Sequence, residues 1–547
     1  MAKKSSTGAL TKEQHQAQNE RYAQNHSYDY VIIGTGSSAL TVGALLANAG
    51  KKVCMLEAHD IPGGYCHTFR TGDYLFCAQV HYIWGCGPGE IIYEFLKKVG
   101  LQDDITFELF DKEGYDQVGL PDGKRVKIPY GFDRLLKNVT EAYPDQKEPM
   151  EKFIRIMRKL REEVGHVPNR KLTFKDLLGM WRFPTVVKYR NATLQNLFDE
   201  CRLSKEAQAV LCGDAGDFLL PPNRLSLFLY VGLFCGYGSG AYYPTKHYKY
   251  YIDRLASFIT SHEGCHIYYE TQVTGIDTEG DEVTAVHTQN GKTFKGTDYI
   301  CNADPQAMAK VIGWDKFPSS EKKLLEYTYS PAGVVVYLGL KGIDLRDFGF
   351  GSFNIWHLEQ WDMNQMWDEM GKTDFTKPWF FLSTPTLHTT EGGMTPEPDC
   401  QILEISTYTE YKPFKEAMDK SYADYARLKQ RIADRVIQIV EEKYIPNLRK
   451  HIAVKTVGTT LTNQDFVLAP FGNSYGSEMT PKQTLNRLRA NTPFKNFSWC
   501  NASSGWASMY GTVSTGVGLY MDLTGDRYYD QVKKLTDEEQ VKRIYGE

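Results

Sequence analysis

Apolar and polar positions follow two rhythms along this chain, and the changes between them mark its elements. The first clear signal is an apolar run, Tyr30-Val31-Ile32-Ile33, followed by Gly34-Thr35-Gly36-Ser37-Ser38-Ala39. Leu40, Val42, Ala44, Leu45 and Leu46 then recur at helical spacing up to Gly50, and a second run, Val53-Cys54-Met55-Leu56, ends on Glu57. Short apolar runs bounded by glycine read as buried strands, and the recurrence between them reads as a helix. Downstream, helical spacing predicts elements over 90–99, over 132–164 with a break at Tyr143-Pro144-Asp145, and over 176–180, 194–201, 206–211 and 250–259. The stretch 225–234 is apolar throughout but too short to span a bilayer, so it is expected to be a buried helix. Strands are expected at 105–109 and 125–128, in a series from 267 to 294, and at 333–340, 380–382, 402–406 and 496–500, with a long amphipathic helix over 422–444.

The opening unit carries chemistry as well as pattern. Strand, glycine turn, helix, strand and terminal acid, in that order, are the fingerprint of a dinucleotide-binding unit. Gly34 permits the tight turn, and Gly36 lets the backbone approach a pyrophosphate. Ala39 takes the third small position, where helix and strand pack closely. Ser38 stands at the helix N-terminus, whose unpaired N–H groups suit phosphates. Glu57 is placed to accept hydrogen bonds from ribose hydroxyls.

Pro62-Gly63-Gly64-Tyr65-Cys66-His67-Thr68-Phe69 resembles the second glycine pair of flavoproteins in the amine-oxidase and phytoene-desaturase superfamily. That pair usually precedes a basic residue; Tyr65 stands there instead, which resembles the carotenoid isomerase and retinol saturase branch. The resemblance implies FAD rather than NAD. The run from Tyr74 to Ile83 is similar to a retinol saturase segment in which His-Tyr-Ile lies beside the flavin; His81-Tyr82-Ile83 matches, while Cys77 and Gln79 replace an acid and a glycine. Gly238 to Pro244 resembles an aromatic-Pro turn leading back to the flavin, followed here by Thr245-Lys246-His247. Gln272-Val273 resembles the position where backbone groups meet the adenine. Thr460 to Gln464 and Ala469 to Gly476 are similar to a saturase stretch. Asn501, Gly511-Thr512 and the helix to Leu523 resemble the C-terminal flavin motif, with Asn501, Ala502 and Ser503 where the family often has Thr-Gly and an acid.

The resemblance implies an α/β fold, with a doubly wound, Rossmann-type FAD domain built from discontinuous segments and an α+β substrate domain inserted between them. The expected division is a mobile arm over 1–27; the FAD domain over 28–110, 241–310 and 490–526; the substrate domain over 111–240 and 311–489; and a charged, peripheral tail over 527–547. It implies an enzyme that acts on a hydrophobic, polyene- or isoprenoid-like small molecule. Three functions stay open: saturation or desaturation of carbon–carbon double bonds, redox-neutral cis–trans isomerisation with reduced FAD, and non-enzymatic lipid carriage on a related fold. Intact Gly34, Gly36 and Glu57 weigh against the carrier. Proton transfer at the substrate calls for a positioned side chain, and His81, then His67, then His247 are the candidates because all three lie in segments the resemblance sets near the flavin.

Composition changes little of this. A net charge of −4 gives no electrostatic case for nucleic acid. The eleven cysteines are scattered and unpaired in sequence, as reduced thiols of a cytosolic compartment would be. No metal-ligand spacing is visible. The 35 tyrosines suit either surface use or an aromatic-lined channel for a long apolar ligand. From Leu172 to Tyr189, Lys171, Lys175, Arg182 and Lys188 flank an aromatic–aliphatic face around Trp181, a pattern of helices that lie in a membrane surface.

Overall fold

In the computed structural model, residues 28–166 and 179–547 are described. The expected arm and the first part of the basic–aromatic stretch lie outside them. The opening unit forms as its pattern predicts: β1 (Tyr28–Ile33), α1 (Ser37–Asn48) and β2 (Val53–Leu56). Three more strands join them, β3 (His266–Tyr268), β4 (Gly296–Cys301) and β5 (Phe497–Trp499), in the order β3-β2-β1-β4-β5. Every pair is parallel. A parallel sheet is covered on both faces, so its strands are apolar without alternation, and Val31, Ile32, Val53, Cys54 and Met55 are indeed fully buried.

Register decides where chemistry can occur. Ile33 lies opposite both Leu56 and Cys301, so β1, β2 and β4 end level. The turns beginning at Gly34, Glu57 and Asn302 therefore gather at the carboxyl edge, where ligands of open α/β sheets bind. The helix Ser508–Thr524, α2, crosses α1 closely; a Cβ on Gly516 would stand 2.7 Å from the Ser38 carbonyl oxygen.

Facing this edge is a seven-stranded sheet in the order Ile452–Gly458, Ala332–Lys341, Cys400–Thr409, Trp379–Ser383, Asn354–Leu358, Asp116–Gly119, Arg125–Ile128. It is antiparallel except where Asn354–Leu358 meets Asp116–Gly119. Helices at Phe132–Ala142 and Lys147–His166, broken where Pro144 predicts, share its core with the buried helix Leu227–Tyr237.

Two local features carry no sequence signal, and one expectation needs correction. The run from Tyr74 to Ile83 is not one element: Tyr74–Cys77 forms a hairpin with Thr68–Thr71, while Ile83–Trp84 pairs with Ala241–Pro244. The loop between them carries His81. A helix at Thr460–Val467, closed by a Thr459 capping box, had no periodic signal. The charged tail is not peripheral. Its helix Asp537–Tyr545 docks through Arg161, which donates to both Asp537 oxygens at 2.8 and 3.1 Å, and through the buried Ile544. Among the described residues, no helix is long and apolar enough to cross a membrane.

Candidate active site

The two glycine pairs build one surface. Gly63 donates its N–H to the Thr35 carbonyl at 3.1 Å, which lays the second pair along the first turn. Gly63 and Gly64 have φ of +118° and +56°, and a Cβ on Gly64 would stand 3.3 Å from Gly36 Cα. Only glycine meets both demands. No side chain caps α1, so its first N–H groups point out beside Gly36. The buried Ser37 hydroxyl, which lines the same cleft, has no hydrogen-bond partner. An open helix N-terminus, a bare backbone approach and an unpartnered hydroxyl together suit a pyrophosphate.

Asn302, at the end of β4, organises this edge. Its Oδ1 accepts from Gly36 N at 2.9 Å, and its Nδ2 donates to Ser38 Oγ at 2.9 Å and to the Cys500 carbonyl at 2.6 Å. At the end of β2, Glu57 accepts from the N–H groups of Thr35 at 2.9 Å and His59 at 2.8 Å, and from the Thr35 hydroxyl. Burial pushes its carboxyl pKa up, against those hydrogen bonds. Glu57→Ala leaves two backbone donors without their acceptor; a hydrogen bond to a charged group contributes about 1.5–3 kcal/mol. The variant is expected to melt earlier than the wild type even without cofactor, and to retain less FAD; thermal unfolding and flavin content check this.

From the glycine cradle a cavity of about 310 Å³ runs to the seven-stranded sheet, within the roughly 300–1,000 Å³ of small-molecule sites. Its far wall is aromatic. Tyr82 stacks on Tyr237 at 3.9 Å between centroids, and Trp356 meets Phe381 at 4.3 Å. Two polar groups interrupt that wall. His81 Nδ1 lies 2.7 Å from Glu404 Oε2, and its Nε2 lies 3.2 Å from Ser406 Oγ. Glu404 and Ser406 are two apart on Cys400–Thr409, so the strand period aims both at one ring. Glu404 is almost wholly buried; burial raises its pKa while His81 pulls the other way. The second polar group is Asp217, whose Oδ1 accepts from the Tyr475 hydroxyl at 3.3 Å.

Of the residues singled out in the sequence, Gly36, Ser38, Gly63, Gly64, Tyr65, His81, Asn501 and Thr512 line the cavity. The Tyr65 hydroxyl, in place of the usual basic group, donates to the Asn473 carbonyl and ties the cradle to the opposite loop. Ser38 Oγ donates to the Cys500 carbonyl, which leaves its backbone N–H for a ligand. Asn501 spends its side chain on the backbone: Oδ1 accepts from the Ser503 and Ser504 N–H groups of its own loop, and Nδ2 donates to the Ala303 carbonyl in the turn after β4. Gly34 and Ala39 shape the turn from beneath, and Val273 lies outside the lining, two residues beyond Thr271, whose N–H donates to the Glu57 carbonyl. Gly511 makes room for Trp506, which a Cβ would meet at 2.8 Å.

Two of the three histidines are not at the cavity. His67 Nδ1 pairs with the Gly64 carbonyl at 2.7 Å, and its ring stacks on Phe466. His247 is buried at the start of its helix, its pKa lowered to about 3 by desolvation, with Nδ1 accepting from Lys249 N. Neither ring lines the cavity; each is held instead by a nearby backbone group. Tyr299 to Ala303 resembles the family's strand and turn back to the flavin, which includes Asn302, whereas Glu404 and Asp217 went unremarked. The available signals were a lone acid inside an apolar strand for Glu404 and the repeated Gly-Asp of 213–217 for Asp217.

A parallel sheet with an uncapped first helix, a second glycine pair laid on the first turn and a cavity opening from both define a Rossmann-type flavoprotein. Comparison with known proteins narrows the class. The chain belongs to the flavin-containing amine oxidoreductase family, whose model matches residues 40–518. It is 24% identical over 509 residues to the all-trans-retinol 13,14-reductase of Danio rerio, covering 86% of this chain and 81% of that protein. It is also 24% identical over 497 residues to prolycopene isomerase 2, chloroplastic, of an Oncidium hybrid cultivar, covering 87% and 80%. Among solved structures, cyclohexylamine oxidase from Brevibacterium oxydans superposes with a TM-score of 0.59 at 15% identity, covering 91% of this chain and all of that one. The cofactor is FAD, and the protein is an FAD-dependent enzyme.

Proposed function

We propose that this enzyme adds or removes hydrogen across a carbon–carbon double bond of a long apolar polyene, with His81 moving the proton. The observation that carries the proposal is a single cavity that joins the glycine cradle to an aromatic wall interrupted by His81 and Asp217. Gly36, Ser37, Ser38 and Gly64 would hold the FAD pyrophosphate, and the N-terminus of α2 would face the ring system. FAD supplies the hydride chemistry when bound. The chain supplies the rest. Tyr82, Tyr237, Trp356 and Phe381 offer apolar ring surface to a polyene and keep water from it. Glu404 holds the His81 ring through Nδ1, which leaves Nε2, beside Ser406, as the nitrogen that exchanges a proton. Similarity to a retinol reductase and a prolycopene isomerase at the same identity supports a polyene substrate. It also supports a second reading, redox-neutral isomerisation on the same site. The test is anaerobic single turnover of the reduced enzyme with retinol and with a poly-cis carotene. Oxidation of one flavin per product indicates saturation, and product with the flavin still reduced indicates isomerisation. No product from any polyene overturns both.

We also infer contact with a membrane surface at the cavity mouth. Phe466, Leu468 and Phe471 are at least half exposed, and Leu468 belongs to the cavity lining with Ala469 and Pro470. Trp181 is exposed as well, with Arg182 over its own ring. The double variant Phe466→Ser, Phe471→Ser is expected to bind phosphatidylcholine–phosphatidylglycerol vesicles several-fold more weakly in flotation, and Trp181→Glu to weaken binding less. A wild type that does not float with vesicles ends the idea.

A further inference from the structure

The short turn Asp214–Phe218 is locked in place by one ring. A Cβ on Gly216 would stand 2.1 Å from Trp379 Cζ2, and the Trp379 indole N–H donates to the Gly213 carbonyl at 3.2 Å. A Cβ on Gly213 would meet Val118 at 2.8 Å and Trp356 at 3.2 Å. Two glycines thus press the turn against the sheet, and the clamp fixes its two acids differently. Asp214 points into the core with no side-chain partner. Asp217 emerges in the cavity wall, where Tyr475 donates to it.

We propose that Asp217 is a second catalytic residue of this cavity, the carboxyl that exchanges a proton with the carbon next to the one receiving hydride. The proposal rests on the reading that a polyene double bond is reduced or formed here. In the reducing direction, the C=C π pair takes the proton from the Asp217 carboxyl, the O–H bond breaks and a C–H bond forms. The adjacent carbon takes the hydride, both electrons of which come from reduced flavin. The product is neutral and Asp217 is left as a carboxylate; His81, which moves the proton to and from this acid through Nε2, returns it, and water at the cavity mouth reprotonates His81. In the oxidising direction the carboxylate removes the proton as the hydride departs.

The surroundings suit this task. The titratable groups that couple to Asp217 are His81, Tyr475, Tyr82, Tyr237, Asp214 and Asp116. Burial pushes the Asp217 carboxyl up to about 6, with His81 and the Tyr475 hydrogen bond pulling it down. Burial also pushes the Asp214 and Asp116 carboxyls up. Tyr82 donates to Asp116 at 3.1 Å, which anchors that deeper acid to the aromatic wall. A carboxyl that titrates near working pH can serve as either acid or base. His81 is held by Glu404, whereas Asp217 is restrained by a single hydroxyl. Tyr475 is therefore a positioning residue: its hydrogen bond favours the ionised form of Asp217.

The test uses full-length, FAD-loaded enzyme and the polyene the wild type turns over. Asp217→Asn is expected to lower single-turnover rates in the reducing direction by roughly 100-fold, a typical share for general acid catalysis, with flavin content and melting temperature unchanged. Asp217→Glu is expected to recover part of the rate. Wild-type rates should fall as pH rises through about 6, as the acid is lost. Tyr475→Phe removes a bond that favours the carboxylate, so its alkaline limb should move to higher pH. A wild-type rate and pH profile in Asp217→Asn overturns the proposal alone, as does an unmoved limb in Tyr475→Phe. A flavin-loaded wild type that transforms no polyene overturns the functional reading and this proposal together.

Discussion

Gly36→Val should purify as a folded protein without FAD. The argument comes from two directions that meet at one atom. Outward, the Gly36 backbone lies in the cradle beside Gly64 and the unpartnered Ser37 hydroxyl, where any side chain would occupy the path of the pyrophosphate. Inward, a Cβ at this position would stand 2.5 Å from Asn302 Oδ1, closer than any real contact allows. Asn302 must then leave, and with it the hydrogen bonds that join the turn after β1 to Ser38 and to the end of β5. Overpacking of this kind costs about 1–3 kcal/mol, which a domain of this size survives. The two-sided loss of the phosphate site should cut FAD retention by at least about 100-fold, equivalent to roughly 2.7 kcal/mol of binding. Flavin absorbance per mole of protein checks the loss, and far-ultraviolet circular dichroism checks the fold. Wild-type flavin content in Gly36→Val would remove the cradle from the cofactor site.

The same turn shows why part of this protein is legible from its sequence. Gly34, Gly36, Gly63 and Gly64 answer to local backbone sterics, and a local rule leaves a local mark. The strands β1 and β2 are legible for a related reason, since burial on both faces removes the polar alternation. Asn302 left no such mark: it lies 266 positions from Gly36, and only the register of β4 against β1 brings them together. Glu404 and His81 are 323 positions apart and meet because the seven-stranded sheet faces the flavin edge. His67 shows the converse. It stands three residues after the second glycine pair, yet the 3₁₀ turn Gly64–Cys66 brings its ring onto the Gly64 carbonyl, and it is not among the cavity-lining residues. Position near a motif gives nearness of backbone; the direction of a side chain is settled by what it packs against.

The His81–Glu404 pair poses a different problem, because removing one member disturbs stability and chemistry at once. His81→Ala is expected to keep FAD and lower turnover by about 10²–10⁴-fold, the range for loss of a positioned proton-transfer group. It also strips the nearly buried Glu404 of its side-chain partner, and breaking a buried pair on one side destabilises by about 3–5 kcal/mol. Some of that cost is avoided because Glu404 can take up a proton: burial already pushes its pKa up, and only His81 opposes the rise. A slow enzyme alone would therefore prove little. Adding Glu404→Gln separates the effects, since an amide carries no charge to strand in the core. The double variant should regain most of the melting temperature lost by His81→Ala and none of the turnover. Glu404→Gln alone, with the imidazole still in the wall but its Nδ1 partner neutral, should stay folded and turn over at an intermediate rate. If the double variant recovers turnover together with stability, His81 serves the fold, and proton transfer belongs to another group in the cavity wall.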